Sequence, residues 1–210
     1  MTVFDLLLIT DPDARGGVVE TTRRALARAP AGRVAVQLRA KDRSASERVE
    51  LAHALREVTH EGAALFLVNG DPALARDVDA DGVHLPAGST TPAEARAIAN
   101  GAKLVGVSCH DLQGVVRAGT GGASYVTLSP FASSPGKGPA VGPERFAEIA
   151  RATDVPVLAL GGVDRSNAAA ARAAGAHGIA VIRAVYAAPD PALAVEQLLA
   201  SLDSARASER

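Results

Sequence analysis

Three polar residues at alternate positions, Gln37, Arg39 and Lys41, follow the apolar run Val34-Ala35-Val36. In an extended strand, alternate residues share a face, so this spacing puts one amide and two cations on the same side. A guanidinium fork beside an ammonium suits an anion such as phosphate. The competing arrangement is a loop in which Asp42 or Asp71 pairs with these cations. Further along, Gly161-Gly162 and Ile182-Arg183 each follow a short apolar run. Backbone amides at such turns, next to a helix start, hold phosphate, whereas a tight turn without a ligand is the alternative. His110, after Ser108-Cys109, is the best-placed general acid/base, because a proton shuttle at neutral pH needs a group that titrates there; a hydrogen-bonded loop histidine is the alternative. Lys137 lies in a Ser-, Gly- and Pro-rich stretch, 129–142, the longest without a helical pattern. Cys109 has no activating neighbour in sequence and reads as a buried, inert thiol. His84 ends another run, and His53, His60 and His177 lie away from these motifs.

The elements that must carry these groups are periodic. Eight short, uniformly apolar runs recur: Phe4–Ile9, Val34–Leu38, Ala64–Val68, Val83–Leu85, Leu104–Val107, Tyr125–Leu128, Val157–Leu160 and Ile179–Ile182. Uniform rather than alternating hydrophobicity marks strands covered on both faces. Between them lie Ala-rich amphipathic segments, several with proline in the first turn, at Pro72, Pro92, Pro143 and Pro191. Four of the strands are entered through a similar junction, as in Asp79-Ala80-Asp81-Gly82-Val83 and Gly175-Ala176-His177-Gly178-Ile179. Eight such βα units predict an α/β protein, a compact single-domain (β/α)8 TIM barrel over residues 1–202, with a frayed tail over 203–210. In that fold the working residues sit at the C-terminal ends of the strands, where all of the candidates above fall.

Composition narrows the function class. The 210 residues carry 22 Lys+Arg against 23 Asp+Glu, a formal charge of −1, so no broad basic surface exists for nucleic acid. A single cysteine rules out an internal disulfide and a thiolate zinc cluster. No apolar run approaches the roughly 20 residues that span a bilayer, and the start lacks the marks of a signal peptide, so a protein of the cytoplasm is expected, without a membrane partner.

Taken together the strand-end motifs resemble the thiamine-phosphate synthase and TenI family, in order over nearly the whole chain. The resemblance rests on Gln37-Leu38-Arg39-Ala40-Lys41, Asp81-Gly82-Val83-His84-Leu85, Gly106-Val107-Ser108-Cys109-His110, Tyr125 to Phe131, and Leu160-Gly161-Gly162-Val163. It implies a thiamin-biosynthetic barrel that binds a thiazole phosphate, and at family level a homodimer. In the synthase branch it implies a second substrate, a hydroxymethylpyrimidine diphosphate, with Mg2+ and a cluster of polar groups on the departing pyrophosphate. Gln37, Arg39, Lys41, Asn69 and Ser108 would then meet the pyrophosphate or pyrimidine, and Gly162 with the turn before Ala184 the thiazole phosphate. Two metal-binding positions of that branch read differently here, as Asn69-Gly70 and within Pro86-Ala87-Gly88-Ser89, which leaves Asp71 as the nearby carboxylate. Those two segments look closer to the TenI branch. The lead expectation is therefore a TenI-like thiazole tautomerase that needs no cofactor and uses His110. A thiamine-phosphate synthase with Mg2+ is the alternative, and a non-catalytic binding or regulatory relative the third.

Overall fold

The computed structural model describes residues 4–100, 102–134, 136 and 138–208. Eight parallel strands close into one barrel, each paired with its sequence neighbours and the first with the last. They are β1 (Leu6–Ile9), β2 (Val34–Leu38), β3 (Leu65–Asn69), β4 (Gly82–Leu85), β5 (Leu104–Cys109), β6 (Tyr125–Leu128), β7 (Val157–Leu160) and β8 (Gly178–Val181). Helices α1 (Val18–Leu26), α2 (Ala45–Glu61), α3 (Pro72–Asp77), α4 (Pro92–Ile98), α5 (Leu112–Thr120), α6 (Gly142–Arg151) and α7 (Ala168–Ala173) alternate with the strands. After β8 come a short α8 (Arg183–Tyr186), absent from the sequence expectation, and α9 (Pro191–Ser208). The expected (β/α)8 barrel is the observed fold.

The strands are apolar throughout because the barrel buries both faces. Leu7, Ala35, Leu67, Leu104, Tyr125, Leu158 and Ala180 fill the interior, with Phe4 edge-on to Tyr125. The alternate residues, among them Leu6, Val36, Phe66, Val83, Val126 and Ile179, face outward under the helices. The helices start where their caps dictate: Ser44 and Thr91 each form a capping box with the glutamate three residues on. The recurrent junction before the strands is structural. At the β4 entrance Asp81 accepts a hydrogen bond from the Phe66 amide at 2.8 Å and pairs with Arg56 at 3.3 Å.

The end of the chain differs from the frayed tail expected over 203–210. Helix α9 runs to Ser208, with 209 and 210 outside the described residues. Asp203 pairs with Arg33 at 2.7 Å, and Arg33 in turn holds Asp5 at 2.6 Å, while Arg206 also bonds to Asp5. Asp5 is buried at the bottom of the barrel. Burial alone would raise its carboxyl, but the hydrogen bonds and charges of Arg206 and Arg33 outweigh that and hold it below the ordinary carboxylate range. The Ser- and charge-rich composition that suggested fraying is thus an ion-pair network closing the lower rim. No described helix is long and apolar enough to cross a membrane.

Candidate active site

The interior positions become polar toward the C-terminal ends of the strands. Two residues beyond interior Ala35 lies Gln37; two beyond Leu67 lies Asn69; Ser108 and Thr127 follow Gly106 and Tyr125 in the same way. Gln37 Nε2 donates to Asn69 Oδ1 at 2.8 Å, leaving the Asn69 amide hydrogens available. Gln37 Oε1 and Thr127 Oγ1 are buried without a protein partner. Buried polar atoms are nearly always paired, so each of these two takes its partner from outside the chain, water or a polar ligand alike.

His84, Tyr125 and Ser108 form a second chain of contacts that the sequence motifs did not reveal. Tyr125 Oη lies 2.9 Å from His84 Nδ1, and His84 Nε2 lies 2.9 Å from Ser108 Oγ. Burial lowers the His84 pKa to about 4, so the ring is neutral at physiological pH and carries one N–H. Burial pushes the Tyr125 phenol well above its ordinary value, so it keeps its proton. Among the described residues His84 is the partner for that proton. Satisfying it makes Nδ1 the acceptor and Nε2–H the donor to Ser108 Oγ. The Ser108 hydroxyl hydrogen is then left to donate into the mouth. The signal for this network was present in the alternation along the strands, but the meeting of three strands required the closed barrel.

At the exit of β2, Arg39 and Lys41 make no ion pair with Asp42, Asp71 or another described carboxylate, so the ion-paired loop weighed from sequence is not what forms. Thr10 fixes the backbone there: its Oγ1 accepts from the Arg39 amide at 2.8 Å. Lys41 and Asn69 line a cavity of about 390 Å³ between the exits of β2 and β3, together with Gly70, Asp71 and Arg48 of α2. Arg48 was not among the sequence candidates, because a charged residue near a helix start ordinarily reads as a solvated face.

Across the mouth, a second cavity of about 380 Å³ is lined by Gly161, Gly162, Ile182 and Arg183, with Ser133 and Ser134 from the loop after β6. Gly162 has φ 68°, and a Cβ there would sit 2.6 Å from the Ser133 carbonyl oxygen, so a side chain is excluded on both grounds. The structure bonds Gln37 to Asn69 and places Asn69 with Lys41 in one cavity, and Gly161, Gly162, Ile182 and Arg183 in the other; Arg39 and Ser108 line neither. Lys137 lies outside the described residues.

His110 is exposed at the end of β5, with Nδ1 3.0 Å from the Ser129 carbonyl oxygen, to which it donates. It lines a crevice of about 280 Å³ with Ser108, Pro86, Ser89 and Arg117. Cys109 is buried and its thiol is pushed up to about 11, mainly by burial, consistent with an inert residue. A groove of about 640 Å³ lies between α1 and α2 and includes none of the polar groups of the barrel mouth.

A magnesium ion, which the family resemblance implies for the synthase branch, does not fit these residues. Position 70 is glycine, and Ser89 donates its hydroxyl to the Pro86 carbonyl. Asp71 accepts from the Leu74 amide at 3.0 Å as the N-cap of α3, and its companions in the cavity are the cations Lys41 and Arg48. No group of three or more metal-ligating side chains occurs among the described residues. Hard divalent cations need clustered oxygen donors, and here one carboxylate stands beside two positive charges.

Two separate cavities at the mouth of a closed parallel barrel define a protein of the (β/α)8 class. The family model described as thiamine monophosphate synthase matches residues 6–185. Thiamine-phosphate synthase of Haloarcula marismortui is 37% identical over 213 residues, covering 98% of this chain and all of that one. That of Methanoculleus marisnigri is 37% identical over 210 residues, covering 99% of each. The solved thiamine phosphate pyrophosphorylase of Pyrococcus furiosus superposes with a TM-score of 0.87 at 32% identity, covering 96% of both chains. The chain belongs to the thiamine-phosphate synthase family of thiamine biosynthesis. The sequence-based lead, a TenI-like tautomerase, gains no support from these relatives, which carry the synthase name.

Proposed function

We propose that the protein is a thiamine-phosphate synthase, joining a hydroxymethylpyrimidine diphosphate to a thiazole phosphate with release of pyrophosphate. The observation that carries this reading is the pair of separate anion sites facing one polar interior: a reaction of two phosphorylated substrates needs both, whereas isomerising one thiazole phosphate needs one. The synthase-named relatives at 37% identity support it further.

In the proposed reaction the bond between the pyrimidine methylene carbon and the diphosphate oxygen breaks, and the bonding pair leaves with pyrophosphate. The thiazole nitrogen then supplies its lone pair to the carbocation, forming the new C–N bond. Arg39, Lys41, Asn69 and Ser108 face the departing pyrophosphate, where fixed positive charge and N–H or O–H donors stabilise charge as it develops. Gln37 and Thr127, with unsatisfied buried oxygens, receive the pyrimidine edge. The backbone around Gly162 and Arg183 receives the thiazole phosphate. His110 serves here as a brace between the exits of β5 and β6 through its bond to Ser129, not as a general base.

Incubating the folded protein with both substrates and following thiamine phosphate and pyrophosphate tests the reading. Both products in equal amounts are expected. Accelerated thiazole isomerisation without the coupled product would establish the tautomerase instead.

A further inference from the structure

Arg48 is the one described arginine in the cavity between the exits of β2 and β3, and its Nε is buried with no hydrogen-bond partner. Carboxylates lie close along the chain, yet none of the described ones pairs with it. Glu47 is occupied by the Ser44 capping box and by Arg43 at 3.7 Å, and Asp71, which shares the cavity, caps α3. Lys41 lines the same cavity, and Asn69 there has amide hydrogens to offer. A guanidinium N–H withdrawn from water and left unpaired is costly, and the cost is recovered when an anion supplies the acceptor. Lys41, Arg48 and Asp71 together leave one net positive charge in the cavity.

We propose that Arg48 and Lys41 form a subsite that binds the outer phosphoryl group of a diphosphate directly, with no divalent cation between protein and anion. This inference rests on the synthase reading for its substrate. It accounts for the poor fit of a magnesium ion in the same place: side-chain cations take over the neutralisation of the diphosphate. The subsite is expected to favour a diphosphate over a monophosphate, since two phosphoryl groups carry more charge for Arg48 and Lys41 to pair with.

Calorimetric titration with inorganic pyrophosphate in EDTA tests the proposal. The unmodified protein is expected to bind, and Arg48→Ala to bind tenfold or more weakly, the effect of losing one charge-assisted contact. Arg48→Lys should recover part of the loss, and both variants should bind thiazole phosphate as the unmodified protein does, which reports an intact fold. Pyrophosphate binding that is abolished by EDTA and restored by magnesium would overturn the proposal, as would equal binding by Arg48→Ala. Product formation together with Arg48-independent pyrophosphate binding would remove the subsite and leave the synthase; Arg48-dependent binding without product formation would do the reverse.

Discussion

A Cβ on Gly106 would stand 2.2 Å from Cζ of Tyr125, inside the space that the tyrosine ring occupies to reach His84. The missing side chain on β5 is therefore what lets a residue of β6 bond to one of β4 across the barrel. Gly106→Ala should displace the ring, break the Tyr125–His84 contact and cost about 1–3 kcal/mol from overpacking alone. Urea denaturation measures that loss. Because Ser108 would lose its fixed partner, the rate of thiamine phosphate formation should fall more steeply than the folded fraction does.

Ser108→Ala isolates the other end of the same chain of contacts. A hydroxyl donating to a charged ligand is worth about 1.5–3 kcal/mol, so pyrophosphate affinity should drop roughly ten- to hundredfold. The proposed thiazole phosphate site lies across the mouth and should be unaffected. Parallel titrations with the two ligands check this, and equal weakening of both would show that Ser108 supports the fold rather than the pyrophosphate.

His84 predicts a pH dependence of stability. Its folded-state pKa is about 4 against an unfolded value near 6.5, so the unfolded chain binds the extra proton first. The stability is complete above pH 6.5 and declines as the pH falls through 4, by on the order of 3 kcal/mol over that window. Carboxylates held below their ordinary range, such as Asp5, exert their effect at the acid end, so the interval from pH 6.5 to 5 reports mainly the histidine. Urea midpoints of the unmodified protein should fall across that interval, and those of His84→Gln should be flatter.

Asp5 and the residues of the barrel mouth should separate stability from activity. Asp5→Ala leaves Arg33 and Arg206 without their shared buried partner, and breaking such a group costs about 3–5 kcal/mol. The site is at the opposite rim, so turnover per folded molecule should stay within twofold of the unmodified protein. Lys41→Ala should show the converse: a large loss of turnover with little change in melting temperature, since Lys41 is exposed and makes no ion pair with a described residue.

Much of this architecture is legible along the chain. Eight uniformly apolar runs separated by helical segments demand a parallel sheet covered on both faces, whereas the period-two spacing of Gln37, Arg39 and Lys41 holds only as far as Leu38, where β2 ends, and Lys41 shares its cavity with Leu38 and Ala40. The Gly161-Gly162 turn is similarly readable, since its positive φ angles exclude ordinary side chains. The branch of the family was harder to read, because Asn69-Gly70 and Pro86-Ala87-Gly88-Ser89 look closer to the TenI branch while the relatives carry the synthase name.

What the sequence determined by itself is the local part: strand and helix periodicity, turn chemistry, and the side of each strand that carries polar groups. Only the tertiary structure decided which of those groups meet. His84 and Tyr125 are 41 residues apart and touch because the barrel closes around a glycine. Arg33, Asp203 and Arg206 hold the chain end because α9 returns to the foot of β1. Arg48 stands unpaired because capping and helix geometry commit its acidic neighbours elsewhere. Pairing energies depend on distance and burial, and neither is a property of sequence spacing once the chain has folded back on itself.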